Sequence, residues 1–164
     1  MNTPLVPNHL AGRFVGQRRF ELVSLLGEGS YGAVYRALHH RGGAKEPRVY
    51  AIKVLRTTHH DSRLLHQPRE HELHQRVSDC DGIVTLYETF KEGHYQYMVM
   101  KLCPDGDLSS WISKKRYLGN DSKIKDVFTQ LLDAVDYCHS HRYMLPLFQP
   151  MQNFLPYMHQ RIPP

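Results

Sequence analysis

Gly27-Glu28-Gly29-Ser30-Tyr31-Gly32-Ala33-Val34, followed about twenty residues on by Ala51-Ile52-Lys53, is the stretch on which the fold turns. Three glycines at this spacing let a backbone turn sharply and approach a ligand that a Cβ atom would hold off. N–H groups exposed in such a loop can cradle phosphate oxygens, and a lysine on a neighbouring strand can reach the same oxygens as a point charge. A dinucleotide-binding loop has the same glycine spacing, but it opens a helix and is followed by an acid about twenty positions later. Here Ala33 to Leu38 is rich in β-branched and aromatic residues and reads as a strand, and the residue at that distance is a lysine. A plain hairpin would need the glycines but not the lysine.

Working outward, Phe20 to Leu26 reads as a strand feeding the loop and Val34 to Leu38 as its hairpin partner. Residues 39–48, with Gly42-Gly43 and Pro47, form a connection, and Val49 to Leu55 is a third strand. Strand alternation puts Val49, Ala51, Lys53 and Leu55 on one face, where a small Ala beside the Lys leaves room for a flat base. Pro68 suits the first position of a helix running to about Val77, with Glu70, Leu73 and Val77 on one side and Glu72 roughly opposite. Ile83 to Phe90 and Tyr95 to Met100 are two more strands joined by Lys91-Glu92-Gly93-His94. Lys101 to Leu108 contains Pro104 and Gly106 and breaks both helix and strand. A short helix is expected over 108–112. After the capping run Gly119-Asn120-Asp121-Ser122, the apolar positions Ile124, Val127, Phe128, Leu131, Val135 and Cys138 predict a helix of about sixteen residues with one packing stripe.

The glycine loop between two strands, with Val49-Tyr50-Ala51-Ile52-Lys53 after it, resembles the nucleotide-binding lobe of a eukaryotic-type Ser/Thr protein kinase. The resemblance covers roughly residues 18–141, and the run from Arg69 to Ser78 looks like fungal members. It implies an α+β fold: a five-stranded antiparallel sheet plus one helix, then an incomplete helical lobe. The implied organisation is a flexible lead-in at 1–18, an N-lobe at 19–100, a hinge at 101–107, the start of a C-lobe at 108–141 and a divergent tail at 142–164.

By the same resemblance, ATP is held by Gly27, Glu28, Gly29, Ser30, Tyr31, Gly32, Val34, Ala51 and Lys53, with Glu70 pairing with and positioning Lys53. Met100 would stand at the back of the adenine pocket, backbone groups of Lys101 and Cys103 would face the base edge, and Asp107 would reach the ribose. The family usually has an acid where Lys101 stands; a main-chain contact tolerates the change. The parent reaction is transfer of the ATP γ-phosphoryl group to a protein hydroxyl, with Mg as the family's metal.

The family's next motif, the catalytic loop His-Arg-Asp-x-x-x-x-Asn, is missing. Laid on without gaps, its triplet falls on Leu145-Pro146-Leu147 and its metal-binding Asn on Gln152, and no Asp or Glu follows Asp136. Magnesium needs hard oxygen ligands, usually carboxylates, which leucine and proline do not supply. The expectation is therefore no catalytic residue and no metal ligand here, a chain inactive by itself, and at most weak, metal-independent nucleotide binding. The rival reading is a pseudokinase-like interaction module that docks a partner on the stripe at 124–138. Residues 142–164 hold half of the ten prolines and no Gly, Lys, Asp or Glu. They read as the product of an unspliced or shifted frame in preference to an alternative C-terminal interaction tail, and a product that never accumulates folded is the third outcome.

Length and composition bound the rest. The 164 residues suffice for one domain with a core but fall short of a complete kinase domain. Apolar residues at 41% and charged residues at 23% are ordinary for a globular chain. A net charge of +5 permits anionic partners such as nucleotides, but no dense basic run points to nucleic acid. Cys80, Cys103 and Cys138 lack paired spacing, which suits a reducing, intracellular setting in cytoplasm or nucleus. Among the twelve histidines, His39-His40 and His59-His60 lie in polar, loop-like stretches with no thiol or carboxylate beside them at ligand spacing, and solvent exposure is expected of them in preference to metal binding. No apolar run is long enough to cross a membrane.

Overall fold

In the structure, a computed structural model, the residues described are 10–29, 32–40, 47–57, 72, 74–104, 112–115 and 118–141. The chain divides into two compact units. The first comprises Met1–His71 with Leu86–Leu102, and the second Glu72–Thr85 with Cys103–Pro164.

The first unit is an antiparallel sheet of six strands: β1 (Phe14–Val15), β2 (Phe20–Gly29), β3 (Gly32–His39), β4 (Arg48–Arg56), β5 (Leu86–Glu92) and β6 (Tyr95–Lys101). Their order across the sheet is β1-β2-β3-β4-β6-β5. Each strand comes where β-branched and aromatic residues run between turn residues, and Gly93 closes the β5–β6 hairpin at a φ of 58° that glycine adopts without steric cost. The central strands β4 and β6 are apolar on both faces. Ile52, Val54, Tyr97 and Val99 point to one side, and Leu55, Met98 and Met100 are buried on the other.

The sheet curls until its ends meet. Phe20 of β2 stacks on Phe90 of β5 with ring centroids 6.1 Å apart, although these strands stand far apart in the sheet order. Inside the curl lies the core of this unit: Phe20, Leu22, Tyr35, Ile52, Val54 and Tyr97, joined by Leu10 and Val15. Burial there raises the Tyr97 phenol to about 12 and moves Tyr35 the same way.

Five strands and a loose lead-in over 1–18 are expected from the sequence. The structure adds a sixth, β1, inside that segment, and Leu10 and Val15 are 3% and 4% exposed. The strand is two residues long, too short to show alternation. The segment is fastened by other means. Gly12 N–H donates to the Leu22 carbonyl at 2.6 Å and Leu22 N–H to that of Arg13 at 2.9 Å. Arg19 donates through Nε to Gly16 O at 3.0 Å and through Nη1 to both oxygens of Glu88, while its guanidinium lies 5.2 Å and 5.6 Å from the Phe20 and Phe90 ring centroids. Gly16 N–H reaches Glu92 Oε2 at 2.7 Å. The Arg19–Glu88 pair is solvent-exposed, so its charge adds under about 1 kcal/mol and its main effect is alignment.

That alignment holds an unusual turn. Gly16, Gln17 and Arg18 all adopt left-handed backbone, with φ of 63°, 57° and 64°. A left-handed conformation costs a residue bearing a Cβ about 1–2 kcal/mol. Gln17→Gly is therefore expected to stabilise the protein by about 0.5–1 kcal/mol after glycine's entropy is subtracted. Urea unfolding measures it, and a lower midpoint for the variant would contradict the assignment of strain.

The second unit is built on α1 (Asp121–Ser140), four residues longer than expected. Asn120 caps it as its sequence suggests, the side chain accepting from Lys123 N–H at 2.9 Å. Against it lies the segment 77–83, giving a small core of Val77, Ile83, Ala134 and Cys138. Residues 74–77 are helical, in line with the end of the expected helix; its start lies outside the described residues. Buried His74 bonds through Nε2 to the Val84 carbonyl at 2.7 Å, so that nitrogen carries a proton.

The expected stripe on α1 does not pack as a whole. Ala134 and Cys138 are buried and Val127 and Leu131 half-buried, but Ile124, Phe128 and Leu132 are 48%, 57% and 52% exposed. The packed line runs along one edge of the apolar arc because the segment against it is narrow. A Cβ added at Gly82 would come within 3.0 Å of the Ala134 methyl, so only small residues of the helix fit there.

Candidate functional site

The sheet register assembles the residues singled out in the first unit. Directly opposed residues of an antiparallel pair share a face. Gly27 opposes Val34, Val34 opposes Lys53, and Lys53 opposes Met98, so four strands contribute one continuous row. The neighbouring row runs Arg36–Ala51–Met100–Leu86. Val34, Ala51, Lys53 and Met100 thus stand together on the face turned away from the aromatic core; alternation in β4 predicts this of Ala51 and Lys53, and the register adds Val34 and Met100. Ala51 is 8% exposed and Met100 4%, while Lys53 is half-buried.

The glycine hairpin supplies the other wall. β2 carries irregularities between Leu22 and Ser24 and between Leu25 and Gly27, and every residue from Val23 to Gly29 is exposed. A Cβ placed on Gly27 or Gly29 would meet nothing within 4 Å, so the space beside these residues is open to a ligand. Gly32 is different: a Cβ there would collide with the Val54 carbonyl oxygen and lie 3.0 Å from Leu55 Cδ2. The three glycines therefore divide between two tasks. Gly27 and Gly29 keep a cradle clear, and Gly32 lets β3 approach β4 at the base of the hairpin.

Glu28 is exposed on β2 and Lys101 ends β6 exposed to solvent. Cys103 belongs to the second unit. Ser30, Tyr31, Glu70 and Asp107 lie outside the described residues, and so does the proposed meeting of Glu70 with Lys53. Met98, absent from the residues expected at the site, is fully buried and opposes Lys53 directly. Alternation back from Met100 would have found it.

The cradle fits a nucleotide: open backbone under a hairpin, one lysine in the adjoining row, and an alanine beside it that leaves room for a base. Among the described residues no group of three or more His, Cys, Asp or Glu could hold a metal ion, and no carboxylate follows Asp136 in the sequence. Among the described residues, too, no helix is long and apolar enough to cross a membrane.

Comparison with known proteins shows the family. Residues 20–145 match the protein kinase domain family. The negative regulator of sexual conjugation and meiosis of Schizosaccharomyces pombe is 38% identical over 146 residues, 85% of this chain and 30% of that protein. NUAK family SNF1-like kinase 1 of Homo sapiens is 32% identical over 127 residues, 76% of this chain and 18% of the relative. Serine/threonine-protein kinase ppk16 of Schizosaccharomyces pombe is 32% identical over 130 residues, again 76% of this chain and 17% of the relative. The chain spans less than a third of the length of each.

Proposed function

Because the chain belongs to the eukaryotic-type Ser/Thr protein kinase family, we propose that its first unit binds ATP beneath the β2–β3 hairpin without transferring the γ-phosphoryl group by itself. What supports binding is the row Gly27–Val34–Lys53–Met98 beside the open space at Gly27 and Gly29. Backbone N–H groups of the hairpin, residues 27–32, face the phosphates, and the Lys53 ammonium adds a charge-assisted contact. Glu70 holds that lysine in place. Val34 and Ala51 bracket the adenine, Met100 closes its back, main-chain groups of Lys101 and Cys103 meet its edge, and Asp107 takes the ribose.

Transfer to a protein hydroxyl is the parent family's reaction. It rests on a base that takes up or orients the hydroxyl proton and on metal-held phosphates, which supply positioning and charge stabilisation. Neither residue set is present between Arg142 and Pro164. This stretch of chain is therefore a nucleotide-binding, non-catalytic form of the kinase fold. Its protein partners follow from the parent family's substrates, and its setting is intracellular, where the thiols of Cys80, Cys103 and Cys138, none of them in a disulfide, remain reduced.

Calorimetric titration with ATP tests the reading. The expected dissociation constant is on the order of 0.1–1 mM, unchanged within about twofold by magnesium, and Lys53→Met weakens it about tenfold, the worth of one charge-assisted contact. Tight, magnesium-dependent binding would overturn the non-catalytic assignment. Equal affinity of the Lys53→Met variant would overturn the site.

A further inference from the structure

Two of the three thiols meet in one small core. Cys138 is fully buried on α1 beside Ala134, Val77 and Ile83, and the half-buried Cys80 packs against the same set. The turn that carries Cys80 is tied on both sides. Its N–H donates to the Val77 carbonyl at 3.1 Å, and its carbonyl accepts from Ile83 N–H at 3.0 Å. Val77 and Ile83 are themselves core members, so they hold the turn against the helix. Gly82 marks how near the two backbones come: a Cβ there would stand 3.0 Å from the Ala134 Cβ and 3.8 Å from its Cα. Backbones joined by a disulfide lie at such spacings, with Cβ atoms about 3.8 Å apart. Cys138 follows Ala134 by one helical turn, about 6 Å, and Cys80 precedes Gly82 by two residues. Besides burial, Cys80 itself holds the Cys138 thiol up, an electrostatic effect that requires the two side chains to be near neighbours.

We propose that Cys80 and Cys138 form a reversible disulfide when a hydroperoxide is present, clipping the segment 77–83 to α1. The oxidant is hydrogen peroxide, and the chemistry takes two steps. The Cys80 thiolate attacks one peroxide oxygen, the O–O bond breaks, and the departing hydroxide takes up the thiol proton as water, leaving a sulfenic acid on Cys80. The Cys138 sulfur then attacks the Cys80 sulfur, the S–O bond breaks, and hydroxide leaves with the Cys138 proton as a second water. Two thiols and one peroxide thus give one disulfide and two waters. Each sulfur gives up one electron of the pair that reduces the peroxide.

Exposure sets the order of the steps. Asp79 and Asp81, both exposed, flank Cys80 and keep its turn at the water surface, where a small peroxide arrives first. Cys138 is closed to solvent and acts second, on a partner already held beside it. That confinement stands in for a reactive thiolate, since an attack within one core is intramolecular. Cys103 is not among the described members of this core and does not compete for Cys138. The bond closes residues 81–137 into one loop. Its gain is largest in the unfolded chain, so oxidation tightens the second unit without moving the packing already present.

The test treats the reduced, dilute full chain with a small excess of hydrogen peroxide and maps its peptides by mass spectrometry without reduction. The expected product is a Cys80–Cys138 linked pair within one chain, two hydrogens lighter than the separate peptides and released by dithiothreitol. Amide hydrogen exchange at residues 77–83 and 134–141 slows about tenfold on oxidation and recovers on reduction. Cys80→Ser, a change at the partly exposed position, removes both effects and leaves Cys138 unoxidised. Dimedone, which traps sulfenic acids, labels Cys80 several-fold more in Cys138→Ala than in the parent, because the resolving thiol is gone. The mapping of the parent protein decides the matter even where that variant fails to fold. A disulfide that involves Cys103, one that joins two chains, or Cys80 carried on to the sulfinic acid with Cys138 still a thiol overturns the proposal. So does a linked pair that leaves hydrogen exchange unchanged.

Discussion

Gly32→Ala is expected to lower stability by about 3 kcal/mol or more, while Gly29→Ala, three residues earlier, leaves it within about 0.5 kcal/mol. The difference lies in what each new methyl would meet. At Gly32 it collides with the Val54 carbonyl oxygen, a backbone atom of β4, and presses on Leu55 Cδ2. Neither can withdraw cheaply. The Gly32–Leu55 and Ala33–Val54 pairings fix β3 against β4 at that point, and Leu55 is fully buried on the face that carries Lys53. Relief requires the strands to part, which strips ladder hydrogen bonds and displaces the row that contains Val34 and Lys53. At Gly29 the methyl enters open space, and alanine's lower unfolded entropy offsets any local loss. That open space is where the phosphates are proposed to lie, so Gly29→Ala should weaken ATP binding about tenfold with the fold intact. Thermal or urea unfolding and calorimetry together separate the two. A Gly32→Ala protein as stable as the parent, or a Gly29→Ala protein with unaltered affinity, would show that the division of labour among the glycines is wrong.

This division could be read only in part from the sequence. The glycine spacing and Lys53 were visible because hairpin, strand and lysine each leave a local signature. Val34, Ala51, Lys53 and Met100 fell on one face because alternation along a strand is a rigid period, and a single register then brings the neighbouring strands into line. Which glycine opens a cradle and which permits a close approach depends on what a distant strand places beside it, and no local pattern carries that. β1 was hidden for a related reason. Two residues show no period, and its turn puts Gln17 and Arg18 in a left-handed backbone that sequence rules assign to glycine or asparagine. What fastens it, Arg19 to Glu88 and Gly16 to Glu92, spans about seventy residues of chain.

The helix shows the same limit from another side. Asn120 marked its start, since a cap is a local device. Its apolar positions announced a packing helix correctly but implied one broad stripe. The arc is wider than the surface available to it, so the structure packs the edge with the small residues and leaves Ile124 and Phe128 outside. Alanine at 134 carried no weight in the periodicity, yet it is the residue on which the contact closes.

Ala134→Leu is accordingly expected to cost about 1–3 kcal/mol and to open the contact between α1 and the segment 77–83. Ala134 is fully buried, and its methyl already stands at the limit of what Gly82 allows, since a Cβ on Gly82 would be 3.0 Å away. The extra carbons of leucine have no cavity to enter, and the segment behind Gly82 must retreat. Cys138, one helical turn on in the same small core, reports the change directly. Burial pushes its thiol up to about 11, with the neighbouring Cys80 acting in the same direction, so at neutral pH it is shielded from solvent and largely without thiolate. In the parent protein its alkylation should be far slower than that of Cys80 or Cys103, both partly exposed. In the Ala134→Leu variant, peptide-resolved labelling at Cys138 should accelerate about ten- to a hundredfold, the equilibrium equivalent of that loss in packing. Pairing Gly82→Ala with Ala134→Gly moves the methyl to the other side of the contact. It should keep Cys138 protected, at the cost of about 1 kcal/mol for a helical glycine. An Ala134→Leu protein that keeps both its unfolding midpoint and the slow labelling of Cys138 would mean that the helix packs on some other line.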